Sequence, residues 1–203
     1  VYINPGMANF PTIGAAAYCD DLHIGSGSSG DGSLLDNGNL TVYGDVYAER
    51  YMTADQYHSF TPTVDGLTAD LFHFGGSTGL DVYLYSNNEA TYDYTEIVPT
   101  TTPLNTFEGY MVWVDGANAT PPVSDWTFTE VGSLNTGAFG STGNVDMSSP
   151  GGNLRGWNFF GNPYTSAIDW DAASGWTKTD IDATIYIYNG TQWATYSNAG
   201  GGS

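Results

Sequence analysis

The sequence predicts an all-β protein: two duplicated β-sandwich-like lobes behind a short β-solenoid-like lead-in. Three observations point there. The chain carries 15 Tyr, 9 Phe and 6 Trp, which suit pleated sheets. It also carries 27 Gly and 17 Asp, which suit the turns between strands, but only five Glu, the better helix former. Finally, an ordered run of strand, Pro break and hairpin in the middle third recurs in the last third.

The lead-in spans residues 1–50. Leu22-His23-Ile24-Gly25 returns as Leu40-Thr41-Val42-Tyr43-Gly44, 18 residues later, with a Gly/Ser stretch between. Apolar beats closed by turn residues read as one or two solenoid coils, or as two edge strands of a flexible lead-in.

The first lobe covers 51–150. Tyr57–Phe60 reads as a strand, broken at Pro62. Residues 68–74 suit a short helical turn. Asp81–Ser86 alternates cleanly, turns at Asn87-Asn88 and returns over Tyr92–Val98 as a hairpin. Gly109–Val114 is apolar on both faces, the mark of a central strand. Ala117–Pro122 is a loop. Trp126–Thr129 and Asn144–Met147 are further short strands.

The second lobe covers 151–203. Trp157–Tyr164 lines up with Tyr57–Val64, and Ile185–Tyr196 lines up with Val82–Tyr94, at offsets of 100 and 103 residues. No counterpart of Gly109–Val114 follows before Ser203. The second lobe is therefore expected to lack its last strand, to be filled by Val1–Ile3, by a strand from another subunit, or by residues outside this stretch of chain. Val1 is preceded by no basic, apolar leader, as in a processed or internal piece.

Charge excludes whole classes of function. Twenty-two acids face three bases, Arg50, Arg155 and Lys178, for a net charge of -19. Nucleic-acid binding needs clustered Lys and Arg, so it is not expected. Membrane insertion is not expected either, since no stretch approaches the roughly 20 apolar residues a spanning helix needs. The single cysteine, Cys19, cannot close an intramolecular disulfide.

The candidate sites are few. His23, His58 and His73 form no i, i+4 pair, so zinc is not expected. His58 occupies the slot that Asn158 holds in the other copy and reads as structural. There is no nucleophile elbow and no phosphate loop. Asp169, Asp171, Asp180 and Asp182 form two Asp-x-Asp pairs. Clustered carboxylates suit Ca2+, the one cofactor the residues suggest; the alternative is that they cap turns. Asp20, Asp21, Asp31 and Asp36 form a second such set. A glycosidase would need two acids facing across a cleft, and these lie in turn-like contexts. The chain therefore reads as no enzyme. Tyr83, Tyr85, Trp113, Tyr186, Tyr188 and Trp193 are the candidate ligand or subunit contacts, since alternating aromatics present rings on one strand face. Exposed, they would stack on sugars; buried, they are core.

The run Gly156-Trp157-Asn158-Phe159-Phe160-Gly161-Asn162-Pro163-Tyr164-Thr165-Ser166-Ala167-Ile168-Asp169-Trp170 resembles the GWNLVGNPYPSAIDW segment of large secreted surface proteins of Bacteroidetes-type bacteria. Gly175–Thr179, Ile185–Tyr196 and Pro103–Trp113 extend the similarity, as do Asn9–Ile13 and Leu40–Gly44. The resemblance implies export through type IX secretion and an extracellular or cell-surface location. It implies no agreed activity. Relatives of this kind continue past the Gly-rich stretch into another strand, whereas this chain ends at Ser203. Together these readings give a structural or adhesive module whose partners are copies of itself or other surface proteins. They extend to a filament subunit assembled by strand donation. The alternative is a carbohydrate-binding accessory domain whose partners are glycans.

Overall fold

The computed structural model describes residues 1–73, 79–91, 93–116, 125–139, 156–178, 181–182, 184–189 and 191–197. The protein is all-β, as expected. A single 3-10 turn, Ala69–Phe72, is the only helical segment among the described residues, and it falls within the expected 68–74. No helix among them is long and apolar enough to cross a membrane. The chain forms two compact units, Val1–Ala167 and Ile168–Ser203.

The first unit opens as a stack of parallel coils. Its strands are β1 (Tyr2–Ile3), β2 (Ala17–Cys19), β3 (Leu22–Ile24), β4 (Ser26–Gly27), β5 (Gly30–Asp31), β6 (Leu40–Val42) and β7 (Val46–Thr53). β1, β3 and β7 stack in parallel on one side, through Tyr2↔His23 and Leu22↔Val46. β2 and β6 stack on a second side through Ala17↔Leu40, and Thr12↔Leu35 bridges a third. Register partners thus lie 21 to 24 residues apart. The expected 18-residue beat is corrected here. Leu22–Ile24 lies on Val46–Ala48, and Leu40–Val42 lies on Ala17–Cys19. Each coil carries strands on different sides, so the two look-alike beats belong to different sides.

Inside the coils sit Ile3, Leu22, Ile24, Leu34, Val46, Ala48 and Val64, with Ile13, Leu40 and Val42 partly buried against them. Outside, Tyr2, His23 and Tyr47 stack in a ladder with centroid spacings of 6.0 and 4.4 Å. Val1–Ile3, the expected donor strand, is held in its own sheet, and Ile3 is only 4% exposed.

The same sheet then becomes antiparallel. β8 (Tyr57–Phe60) and β9 (Val64–Asp65) precede β10 (Tyr83–Asn88), β11 (Asp93–Ile97), β12 (Tyr110–Trp113) and the long β13 (Asp125–Leu134). β13 covers the far edge of β7 from Asp125↔Thr53 to Gly132↔Val46, giving the order β1-β3-β7-β13-β9. The second sheet is antiparallel throughout, in the order β11-β10-β12-β8. β12 is central, as its two-faced apolarity predicts. The first hairpin turns later than expected, because Asn88 still pairs with Asp93.

The two sheets share one core. Met52 and Phe128 of the first meet Phe60, Leu84, Tyr110 and Val112 of the second. Phe72 lies edge-on to Phe60 at 5.3 Å and to Phe128 at 4.8 Å. Edge-to-face packing of this kind adds to the burial energy of the rings.

The segment 156–167 belongs to the first unit. Gly109 N donates to Phe159 O at 2.9 Å, and Gly161 N donates to Phe107 O at 3.1 Å. A Cβ on Gly109 would meet the Phe159 ring at 2.8 Å, and one on Gly161 would overlap Thr61. Asn162 Oδ1 accepts from Tyr164 N at 3.0 Å, so Asn-Pro-Tyr is a side-chain-closed turn. The border expected at 50/51 falls inside β7, and that at 150/151 falls outside the described residues, as do Ala117–Pro122 and Asn144–Met147.

The second unit contains one hairpin, β14 (Thr184–Tyr188) and β15 (Trp193–Ser197), paired from Thr184↔Ser197 to Tyr188↔Trp193. Ahead of it Trp170 is buried and lies edge-on to Trp176 at 4.9 Å. Lys178 Nζ donates to Trp170 O at 2.6 Å and stands 4.1 Å from the centre of that ring.

Candidate contact surface

The alternation in β10 decides which rings reach the surface. Leu84 turns inward and is fully buried, which leaves Tyr83 and Tyr85 on the outer face. Register carries the same face across the sheet. Tyr83 pairs with Trp113 and Trp113 pairs with Tyr57, so three aromatics form one row across β10, β12 and β8. The next row runs Glu96, Tyr85, Met111 and Ser59. Tyr57 and Tyr83 are 38% and 45% exposed, and Trp113 and Tyr85 are half-buried.

Tyr57 packs edge-on to Trp113 at 4.9 Å and 64°, and lies 6.4 Å from Tyr85 at 59°. The rings therefore form an interlocked cluster rather than a flat platform. Partial burial raises the Tyr85 phenol above its ordinary value, with Tyr57 and Glu96 adding to it. It remains a neutral donor at physiological pH.

Sequence reasoning named Tyr83, Tyr85 and Trp113, and the structure brings them together. It missed Tyr57, whose signal was its place at the head of a short strand opposite the central one. The other three, Tyr186, Tyr188 and Trp193, share one face of the β14–β15 hairpin, with Tyr188 and Trp193 opposite each other at 5.2 Å.

The acids are spread among turns. Asp169 Oδ1 accepts from Asp171 N at 2.9 Å, and Asp182 Oδ1 accepts from Thr184 N at 2.9 Å. The Asp171 carboxylate accepts from the Tyr196 hydroxyl. Asp180 lies outside the described residues. In the N-terminal set, Asp21 accepts from Asp45 N, Asp31 from the Ser26 hydroxyl and Asp36 from Gly38 N. Among the described residues no three His, Cys, Asp or Glu converge as a metal site. The histidines are likewise engaged. His58 Nε2 lies 2.8 Å from Thr53 O, His73 Nδ1 lies 2.7 Å from Gly79 O, and His23 stands in the ring ladder.

One carboxyl has an unusual environment. Glu130 is fully buried, with Arg50 Nε at 3.1 Å and Thr63 N donating to it at 2.7 Å. Burial pushes it above the usual carboxylate range, while Arg50 and Thr63 pull the other way. Arg50 borders a groove of about 510 Å³ with Phe10, Asp31, Phe160 and Tyr164. Its Nη1 donates to Glu49 O and its Nη2 to Thr63 Oγ1, which ties the guanidinium into the fold.

No family model matches the chain, and no curated protein or solved structure matches it either.

Proposed function

We propose that this protein is a non-catalytic extracellular or cell-surface module that acts by contact, holding another surface protein against the outer face of its four-stranded sheet. The observation that carries the reading is the row Tyr57–Trp113–Tyr83 with Tyr85 beside it. Exposed aromatic patches mark interaction surfaces, and Trp and Tyr supply most of the energy at such contacts. The turn roles of the described Asp residues support a contact rather than a reaction. The resemblance of the Gly156–Trp170 run to secreted surface proteins supports the location.

Sugar stacking is the competing reading. It calls for ring faces lying open side by side, whereas Tyr57 and Trp113 meet at 64°. Beads coated with the protein should be retained by cells that display it. A Tyr57→Ser/Tyr83→Ser variant should lose at least about tenfold in retention, the scale of one interface anchor. Retention indifferent to that variant sinks the proposal. Binding of the wild type to a glycan array, abolished in Tyr83→Ser, transfers the face to carbohydrate.

A further inference from the structure

The second unit shows how this chain holds a cation. Trp170 and Trp176 stand 4.9 Å apart at 63°. Lys178 Nζ lies in the corner between them, 4.1 Å from the centre of the Trp170 ring and 5.5 Å from that of Trp176. Both distances fall within the roughly 6 Å over which the negative face of a ring attracts a cation. Trp170 O accepts from the same ammonium at 2.6 Å, so an oxygen shares the charge with the rings.

The same corner recurs on the outer face of the four-stranded sheet. Tyr57 and Trp113 stand 4.9 Å apart at 64°, and Tyr85 adds a third ring 6.4 Å from Tyr57 at 59°. A carboxylate stands beside it. Glu96 is the register partner of Tyr85, is exposed, and acts on the Tyr85 phenol through its charge. No residue of these two rows is basic. Arg50 is tied to Glu130 and Lys178 to the Trp170 carbonyl, while Arg155 lies outside the described residues. The net charge of -19 draws cations toward the protein and repels anions.

We propose that this corner receives a lysine side chain of the partner protein, with its ammonium against Tyr57, Trp113 and Tyr85 and its charge met by Glu96. This rests on the contact reading and deepens it by naming the partner's group. Two observations choose the occupant. The corner that Lys178 enters has the same ring spacing and angle. The one charge in the two rows is negative. Rings tilted about a common point suit a cation, which takes the attraction of several faces at once. A lysine also lays its methylene stem along apolar surface, which a bare metal ion cannot do.

Two measurements test it. In the first, the nitrogen-15-labelled chain is titrated with Nα-acetyl-lysine amide while the Trp113 indole N–H is followed by NMR. The shift should saturate. Nα-acetyl-norleucine amide keeps the stem without the ammonium and should bind at least about threefold more weakly, the scale of an exposed cation–π contact. Glu96→Gln, on an exposed edge strand, should weaken the lysine probe about twofold and leave the norleucine probe unchanged. Circular dichroism checks that this variant keeps the fold. Equal binding of the two probes, or no shift at Trp113, overturns the proposal. In the second, the cells used in the bead assay are modified at their surface amines. Acetylation removes the lysine charge and should cut retention at least about tenfold, whereas reductive dimethylation keeps the charge and should leave retention unchanged. Retention that acetylation does not change overturns the proposal and spares the contact reading. Untreated cells that are not retained, with the lysine probe still bound at Trp113, sink the contact reading and keep the corner as an ammonium site.

Discussion

Arg50 Nε and Glu130 Oε1 lie 3.1 Å apart beneath the first sheet, the arginine side chain 19% exposed and the glutamate not at all. Breaking such a pair from one side strands a buried charge, which costs about 3–5 kcal/mol. Arg50→Met should therefore lower stability by about that much near neutral pH, read from urea unfolding. The pH dependence has a definite sign. Glu130 titrates higher in the folded than in the unfolded state, so its contribution is most favourable below the unfolded carboxylate range. It is lost as pH rises through the folded value. Removing Arg50 raises that value further. The deficit of Arg50→Met should shrink as pH falls toward 4.5, and a deficit independent of pH would contradict the assignment.

The two glycines that admit the Gly156–Ala167 segment should be intolerant of even a methyl group. Gly109→Ala meets the Phe159 ring at 2.8 Å. Overpacking of this kind costs about 1–3 kcal/mol. A thermal melt should show the loss, and Gly109→Ala/Phe159→Leu should recover part of it.

Lys178 ties down the start of the second unit through the Trp170 carbonyl and ring. Lys178→Met should cost about 1 kcal/mol locally, the scale of a cation–π contact. Hydrogen exchange around Trp170 and Trp176 should speed up, while β12 protection stays unchanged.

The Asp169, Asp171 and Asp182 carboxylates each accept a hydrogen bond from within their own unit. Millimolar CaCl2 or EDTA should therefore leave the melting temperature unchanged. A rise with calcium that Asp169→Asn removes would assign these residues to a cation site instead.

The strands of the second sheet were legible because their side chains alternate against a core. Leu84 between Tyr83 and Tyr85 is the signal in one strand, and the unbroken apolar run of Gly109–Val114 marks the central one. The coils were less legible. Their sides at Thr12 and at Ala17–Cys19 carry little apolar pattern, and backbone stacking alone sets their register. β7 and β13 were missed or shortened for a different reason. Glu49, Arg50 and Glu130 place charge, and Gly132 a turn former, inside these strands, but Arg50 pairs with Glu130 and Glu49 accepts from Ser26 N. Gly132 admits Asp65 at close quarters. Most of the contact row was legible: Tyr83, Tyr85 and Trp113 stood out in sequence, whereas only the register of three strands brings in Tyr57.

The scarcity of bases has a practical corollary for proteolysis. An enzyme that cuts after lysine or arginine finds three addresses in 203 residues. One of them, Arg50, is woven into an eight-residue strand, and another, Lys178, lies against an indole. Trypsin-like digestion at Arg50 therefore has to wait for that strand to unfold.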